Sequence, residues 1–200
     1  MTNKILLGSA LGLAAVIAAP ASAQSRLPAA VVAVVDTDRI YAECTACRAA
    51  LSQLQSQATQ LQSRQQALSG PIETEGQAIQ TAINALPQAQ RANPPATLTT
   101  RIQRWEQSRA TAQQELQRLQ QNLQSTQANV RRQIDARLGP IISTVMTSRG
   151  ATVAVDTQAT LARSPSIDVT NDVLAQINSQ LPSVSVTPLP PQQQQTAPGR

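Results

Sequence analysis

The motif with the clearest chemistry in this chain of 200 residues is a pair of cysteines three positions apart, Cys44 and Cys47. A C-x-x-C pair supports thiol–disulfide exchange when one thiol has a lowered pKa. The same spacing gives a structural disulfide in an oxidising compartment. We favour the disulfide, because the pair follows a valine-rich strand into a long helix and lacks the βαβ context of a thioredoxin-like site. Zinc is disfavoured, since two thiols without an imidazole leave a tetrahedral site incomplete.

Carboxylates at Asp36, Asp38 and Asp156 could supply a metal site or acid–base chemistry. We interpret the first two as caps of a helix and the third as the end of a strand. The chain contains no histidine, which excludes Ser-His-Asp hydrolysis and His-ligated zinc. It also has no glycine-rich phosphate loop. The sequence therefore predicts a protein that is not an enzyme and that needs no cofactor.

Positive charge is the next feature, with 16 basic against 11 acidic residues and a formal net charge of +5. Such a balance suits anionic partners such as lipopolysaccharide or anionic lipid, and arginine stripes could form at Arg101, Arg104 and Arg109 or at Arg131 and Arg132. Plain solubility and solvated helix faces are the alternative interpretation. One Trp, one Tyr and no Phe provide too few rings to stack nucleic-acid bases, so no nucleic-acid partner is expected.

The N-terminus predicts a secretory signal peptide over residues 1–23. Lys4 precedes an apolar run over residues 5–19, and small residues then lead to a cleavage site after Ala23. The apolar run is shorter than the roughly 20 residues that a spanning helix needs. We therefore expect cleavage and export rather than a membrane anchor.

Short valine-rich runs predict buried strands at residues 29–35 and 151–156, with a weak third strand at 160–162. A closing helix is predicted from Asp168, with its apolar residues on one face. Residues 24–43 together with 139–181 then form a small β/α body.

Between the two parts of the body, residues 44–138 repeat apolar side chains at alternating spacings of three and four, which is typical of a coiled-coil seam. Pro87 and the Asn93-Pro94-Pro95 turn divide this stretch, so it predicts an antiparallel helical hairpin, the arm. Gly70-Pro71 predicts a kink rather than the end of the helix, because the heptad phase continues through it, and Gly139-Pro140 predicts a second kink or break where the arm meets the body. The predicted seam comprises Leu51, Leu54, Leu61, Leu68, Ile72, Ile79, Leu86, Ile102, Trp105, Leu116, Leu119 and Leu123.

The predicted fold class is α+β: a small β body with a long antiparallel α-helical hairpin, oligomeric through the body. The body is shorter than the roughly 70–80 residues at which one core becomes secure alone, and its valine-rich strand edges invite pairing. Residues 182–200, rich in Pro and Gln, predict a disordered tail. The residues expected to carry assembly are Val31, Val32, Val34, Val35, Val153 and Val155.

This order of segments resembles the OmpH/Skp family of periplasmic chaperones. The resemblance lies in residues 31–40, 153–156 and 167–177, and the last of these is similar to the family's closing D-I-T-x-x-V-L stretch, with Val169 in place of Ile. It implies a homotrimer in which strands of three subunits form a small barrel-like body. Three hairpins would surround a cavity that holds unfolded outer-membrane proteins without ATP.

The chain departs from this pattern in its single lysine, its Gln-rich arm, its cysteine pair and its tail. The scarcity of lysine weakens the case for a lipopolysaccharide site, and no residues are assigned to one. Two other functions stay open at this point. One is a structural or adaptor coiled coil of the cell envelope, and the other is a thiol–disulfide oxidoreductase that uses Cys44 and Cys47.

Overall fold

The structure is a computed structural model that describes residues 29–190. The predicted signal peptide, residues 1–23, and the last part of the predicted tail, residues 191–200, lie outside the described residues. Within the described range a small α/β body carries a long two-helix arm. The predicted class, a small strand pair with a long helical hairpin, is confirmed.

Two short parallel strands form the sheet of the body. Strand β1 spans Val32–Val35 and strand β2 spans Val153–Asp156, with Val32 opposite Val153. Parallel strands require a crossover between them, and here the whole arm is the crossover. Val34 also accepts a hydrogen bond from the Val169 N–H at 2.9 Å, which covers part of the other edge of β1.

The predicted third strand at residues 160–162 is wrong. These residues are irregular in the structure, and the Leu161 side chain is fully exposed. A strand there would have no apolar surface to pack on. The backbone that does lie beside β1 belongs to Asp168, through a single parallel bridge to Val34.

Four helices build the hairpin and its turn: α1 (Thr37–Glu43), α2 (Thr45–Ala85), α3 (Gln88–Arg91) and α4 (Ala96–Ser148). Helices α2 and α4 pack against each other and contain 41 and 53 residues, so they span about 60 and 80 Å at 1.5 Å per residue. At the turn, the Arg91 guanidinium donates to the carbonyls of Leu86 and Asn84 at 3.0 and 3.1 Å. It thereby satisfies carbonyls that the end of α2 leaves unpaired.

Neither internal proline ends its helix. Pro71 lies inside α2 and Pro140 inside α4, and both residues are exposed. A carbonyl that loses its partner to proline can bond to water on such a face. Of the kink or break expected at Gly139-Pro140, a break is absent, and α4 runs from the arm directly into the body.

Helix α4 ends where the sequence places a glycine cap. Gly150 has a φ of +68°, and the N–H groups of Gly150 and Ala151 return to the carbonyls of Thr147 and Met146, which is a Schellman arrangement. The closing helix α5 (Thr170–Gln180) follows β2. The core lies where these elements meet; its largest fully buried side chains are Ile40, Ile134, Ile141, Ile177, Val34, Val145 and Val173.

Candidate functional site

The edge of the sheet exposes the valines that the sequence assigns to assembly, but only some of them. Val31, Val32 and Val153 are 50%, 38% and 42% exposed, whereas Val34 and Val35 are buried inside the single chain. Within the described residues β2 pairs with no strand except β1. The second edge of β2 is therefore unpaired among the described residues, and we call this edge, together with the three exposed valines, the sheet edge.

The seam of the arm is only half closed. Ile79 is buried, whereas most of the predicted seam residues, including Leu61, Leu68 and Leu119, keep part of their surface exposed. Leu51 is 46% exposed and borders an open cavity between α2 and α4. At that level of α2 the smaller residues Cys47 and Ala50 are fully buried, and Leu51 is the more exposed neighbour. The arm thus exposes apolar surface in small, shallow pieces.

Shallow cavities follow the arm from its base outward. The first, of about 550 Å³, is lined by Tyr41, Leu51 and Leu54 beside α4. The second, of about 530 Å³, is lined by Leu61, Leu119 and Leu123. The third, of about 630 Å³, is lined by residues that include Leu68 and Ile72. Each combines apolar walls with glutamine or arginine side chains, and none has the enclosed shape of a site for one small ligand.

The two cysteines are joined as a disulfide and lie in the core. Cys44 and Cys47 have Cα atoms 5.1 Å apart, and both side chains are 0% exposed. Cys44 also caps α2, because its sulfur accepts the Cys47 N–H at 3.2 Å. The pair joins the short helix α1 to the start of the arm, and its sulfur atoms are covered by the surrounding core.

The aspartates act as local caps and links. Asp36 caps α1 by accepting the Arg39 N–H at 2.9 Å, while Asp38 accepts from the Gln158 side chain. A hydrogen bond from the Thr37 hydroxyl holds the pKa of Asp156 below its ordinary value. Among the described residues, no group of three or more Cys, Asp and Glu side chains converges as a metal site would require.

Two arginines of the arm form ion pairs with glutamates of the opposite helix. Arg101 binds Glu75, and Arg64 binds Glu115 at 2.8 and 3.1 Å. These two pairs link α4 to α2, and hydrogen bonds from the arginines hold the pKa values of both glutamates below the ordinary range. The proposed Arg101–Arg104–Arg109 stripe is therefore not a row of three equivalent free charges.

Trp105 packs closely against α2. Its indole N–H donates to the carbonyl of Ile72 at 2.8 Å, and the Arg109 guanidinium lies 4.7 Å from the ring centre. A Cβ placed on Gly76 would meet the ring at 3.1 Å. The absence of a side chain at Gly76 thus creates the space for the ring, a relation that no spacing rule in the sequence indicates.

Sequence analysis predicts disorder from residue 182 onward, and the structure corrects this for residues 182–190, the tail segment. The segment lies extended along the base of the arm, with Val184 and Val186 packed against the core. Its main chain bonds to polar side chains of α2 and α4. The Pro/Gln-rich composition favoured disorder and so led to the wrong prediction for this segment. The two valines at alternate positions are typical of an extended, half-buried segment and could have indicated its order.

The structural class of this protein is defined by a small α/β body that carries a long helical arm with a partly exposed seam. The family model for OmpH-like outer membrane proteins matches residues 31–177, and the chain belongs to this family. Membership supports a chaperone role. Among curated proteins no relative matches the chain.

The chain is also similar to a solved structure, that of a candidate outer membrane chaperone (OmpH-like) from Caulobacter crescentus CB15. The two share 17% identity with a TM-score of 0.50, over 84% of this chain and 95% of the other. At that identity the likeness shows the fold.

Within residues 29–190 no helix combines the length and the apolar character that crossing a bilayer requires.

Proposed function

We propose that this protein is an ATP-independent holdase chaperone of the periplasm, which binds unfolded outer-membrane proteins between the helical arms of a homotrimer. The match to the OmpH-like family over residues 31–177 is the observation that carries the proposal. The contacts of the arm and the sheet edge support it independently.

The arm has the surface that a holding chaperone needs. An unfolded client has no fixed shape, so its binder must offer many weak contacts over a large area. The half-exposed leucines of the seam and the three shallow cavities provide such contacts along α2 and α4. Mixed apolar and amide walls bind apolar segments without fixing their sequence.

The sheet edge supports assembly of several copies. An edge strand that leaves N–H and C=O groups unpaired is a template for another chain, and Val31, Val32 and Val153 add exposed apolar surface beside it. Pairing of three copies through this edge would place the arms side by side around a shared cavity. Val34 and Val35 support the body from inside each subunit.

The remaining features fit a protein that works outside the cytoplasm. The predicted signal peptide, cleaved after Ala23, would deliver the chain to the periplasm, where the Cys44–Cys47 disulfide can form and persist. Loss of Lys4 with the leader reduces the net charge of +5 by one. The remaining positive charge suits contact with anionic lipid.

The test is dilution of a urea-unfolded outer-membrane β-barrel protein into buffer with and without the purified chaperone. We expect suppression of aggregation at a near-stoichiometric ratio without ATP, and light scattering should report a trimer that gains the mass of one client. An adaptor coiled coil would leave aggregation unchanged. That result, or a particle of single-chain mass that still holds the client, would contradict the proposal.

The oxidoreductase alternative has its own control. Both sulfurs are 0% exposed, so an attacking thiolate cannot reach them in the folded protein. The double substitution Cys44→Ser and Cys47→Ser should therefore leave holding intact. Loss of all activity in a variant whose helical circular dichroism is unchanged would favour the redox function instead.

A further inference from the structure

The tail segment is held mainly through its main chain. The Gln133 carboxamide binds both main-chain groups of Ser185: its Nε2 donates to the carbonyl and its Oε1 accepts from the N–H, each at 3.0 Å. Gln57 donates to the Val186 carbonyl at 3.1 Å and Asn129 donates to the Thr187 carbonyl at 3.0 Å. Contacts of this kind do not depend on which side chains the bound segment carries.

The side chains of the segment alternate between the arm and the solvent. Val184 and Val186 are half-buried, whereas Ser183, Ser185 and Thr187 are exposed. A period of two is that of a half-buried β-strand. Main-chain hydrogen bonds combined with apolar contacts for every second side chain are also a general mode of recognising extended peptides.

The groove that holds the segment extends beyond it. The Leu189 N–H donates to the Ser125 hydroxyl at 2.9 Å, and Pro188 forms one wall of the 530 Å³ cavity whose other walls include Leu61 and Leu123. The next cavity along the arm continues with Leu68 and Ile72. Among the described residues, the segment therefore fills only the end of the groove nearest the body, and the apolar walls of the groove continue beyond Pro188.

We infer that this groove between α2 and α4 binds extended segments of unfolded polypeptide with an apolar residue at every second position, and that the chain's own residues 182–190 occupy it until such a segment displaces them. The inference rests on the proposed function and deepens it, because transmembrane β-strands of outer-membrane proteins carry this alternation. A client cannot bind a groove that the tail fills. The apparent affinity for a client is therefore the intrinsic affinity multiplied by the fraction of chains whose groove is empty.

The test uses a fluorescently labelled peptide that corresponds to residues 181–190, and it measures the binding of this peptide to the full-length protein by fluorescence anisotropy. In the variant Val184→Ser/Val186→Ser the tail loses its apolar anchors and should leave the groove. We expect the peptide to bind this variant on the order of tenfold more tightly than the unsubstituted protein. The matched control Ser183→Ala/Thr187→Ala changes the outward positions and should not increase binding.

A second pair of variants tests the groove itself. Added to the released-tail variant, Gln57→Ala/Gln133→Ala should remove the gain in peptide binding, whereas Gln120→Ala, an exposed glutamine elsewhere on α4, should preserve it. Unchanged helical circular dichroism shows that each variant is folded. Equal peptide binding by the released-tail variant and the unsubstituted protein would overturn the inference.

Competition with a client separates this inference from the proposed function. A urea-unfolded outer-membrane β-barrel protein should displace the labelled peptide from the released-tail variant. If the protein suppresses aggregation but the client does not displace the peptide, the groove serves only the tail, and the inference fails while the holdase function stands. If no form of the protein suppresses aggregation, the holdase function fails and the inference fails with it.

Discussion

At the scale of single residues, Tyr41 connects the body to the base of the arm. Its hydroxyl donates to the Asp135 carboxylate, and its ring lines the cavity nearest the body. Burial, then the hydrogen bond to Asp135, raises the pKa of Tyr41 well above its ordinary value. A raised pKa means that the folded state favours the neutral phenol.

The prediction for Tyr41 is a late alkaline titration. Tyr41 is the only tyrosine, so tyrosinate absorbance reports this residue alone, and its midpoint should lie above the ordinary value of about 10. The corresponding stability is fully present below pH 10 and is lost as the pH rises through the folded-state pKa. Asp135→Asn should lower the midpoint without restoring 10, because burial remains. A midpoint at 10 in the folded protein would contradict this contact.

A second prediction concerns Gly76, whose missing side chain leaves space for Trp105. Gly76→Leu should displace the indole and lower the free energy of unfolding by about 1–2 kcal/mol, since overpacking outweighs the better helix propensity of leucine. Emission from Trp105, the only tryptophan, should shift to the red as the ring becomes exposed. Gln77→Leu, on the exposed face of the same helix, should shift neither quantity.

Residue-level chemistry was the least predictable part of this molecule from its sequence. The capping role of Asp36 follows from a local rule, since its partner is three residues away. The partners of Trp105 and Tyr41 are 33 and 94 residues away. Only the register between α2 and α4 determines such pairs, and a heptad pattern specifies faces without specifying that register.

At the scale of elements, the two ends of the arm differ in packing. Near the body α4 contributes Ile134 and Leu138 to the core, whereas farther out Leu61 and Leu119 line an open cavity. Two ion pairs between the helices, Arg64–Glu115 and Arg101–Glu75, are exposed. Salt screens such pairs, so they contribute little stability and serve mainly to favour one register.

Paired substitutions should reveal this gradient. Ile134→Ala, at a position 1% exposed, should lower the free energy of unfolding by about 2–4 kcal/mol. Leu61→Ala removes a side chain that is only partly buried and borders an open cavity, so it should cost less, about 1–2 kcal/mol. Denaturant melts followed by circular dichroism measure both values. Equal losses would show that the outer seam is as closed as the base.

The elements themselves were largely predictable. Short valine-rich runs predicted the two strands and heptad leucines predicted the hairpin, because both patterns indicate which residues are buried. The predictions were wrong where contacts with residues distant in the sequence determine whether a segment is ordered. The expected strand at 160–162 lacked a surface to pack on, and the tail segment became ordered because glutamines of two distant helices meet its main chain.

At the scale of the whole molecule, the sheet edge is the surface through which we propose that copies of the chain assemble. The double substitution Val32→Asp/Val153→Asp would place charges on exposed positions of that edge, where burial in an interface would desolvate them. We expect the particle mass from light scattering to fall to that of a single chain. Ala110→Asp, exposed on the arm, is the matched control and should leave the mass unchanged. A constant mass in both variants would place assembly elsewhere.

The parallel pairing of β1 with β2 has a consequence for the order in which the chain gains structure. The Val31 N–H bonds to the hydroxyl of Thr152, a residue 121 positions later, so joining these strands closes a very long loop. If the intervening helices are still unformed, closing this loop has a large entropic cost. Once α2 and α4 have packed against each other, β1 and β2 already lie side by side. We therefore expect α2 and α4 to pack early in folding and the sheet to form last. A destabilising substitution at the turn between these helices should then delay formation of the sheet, although the turn does not contact it.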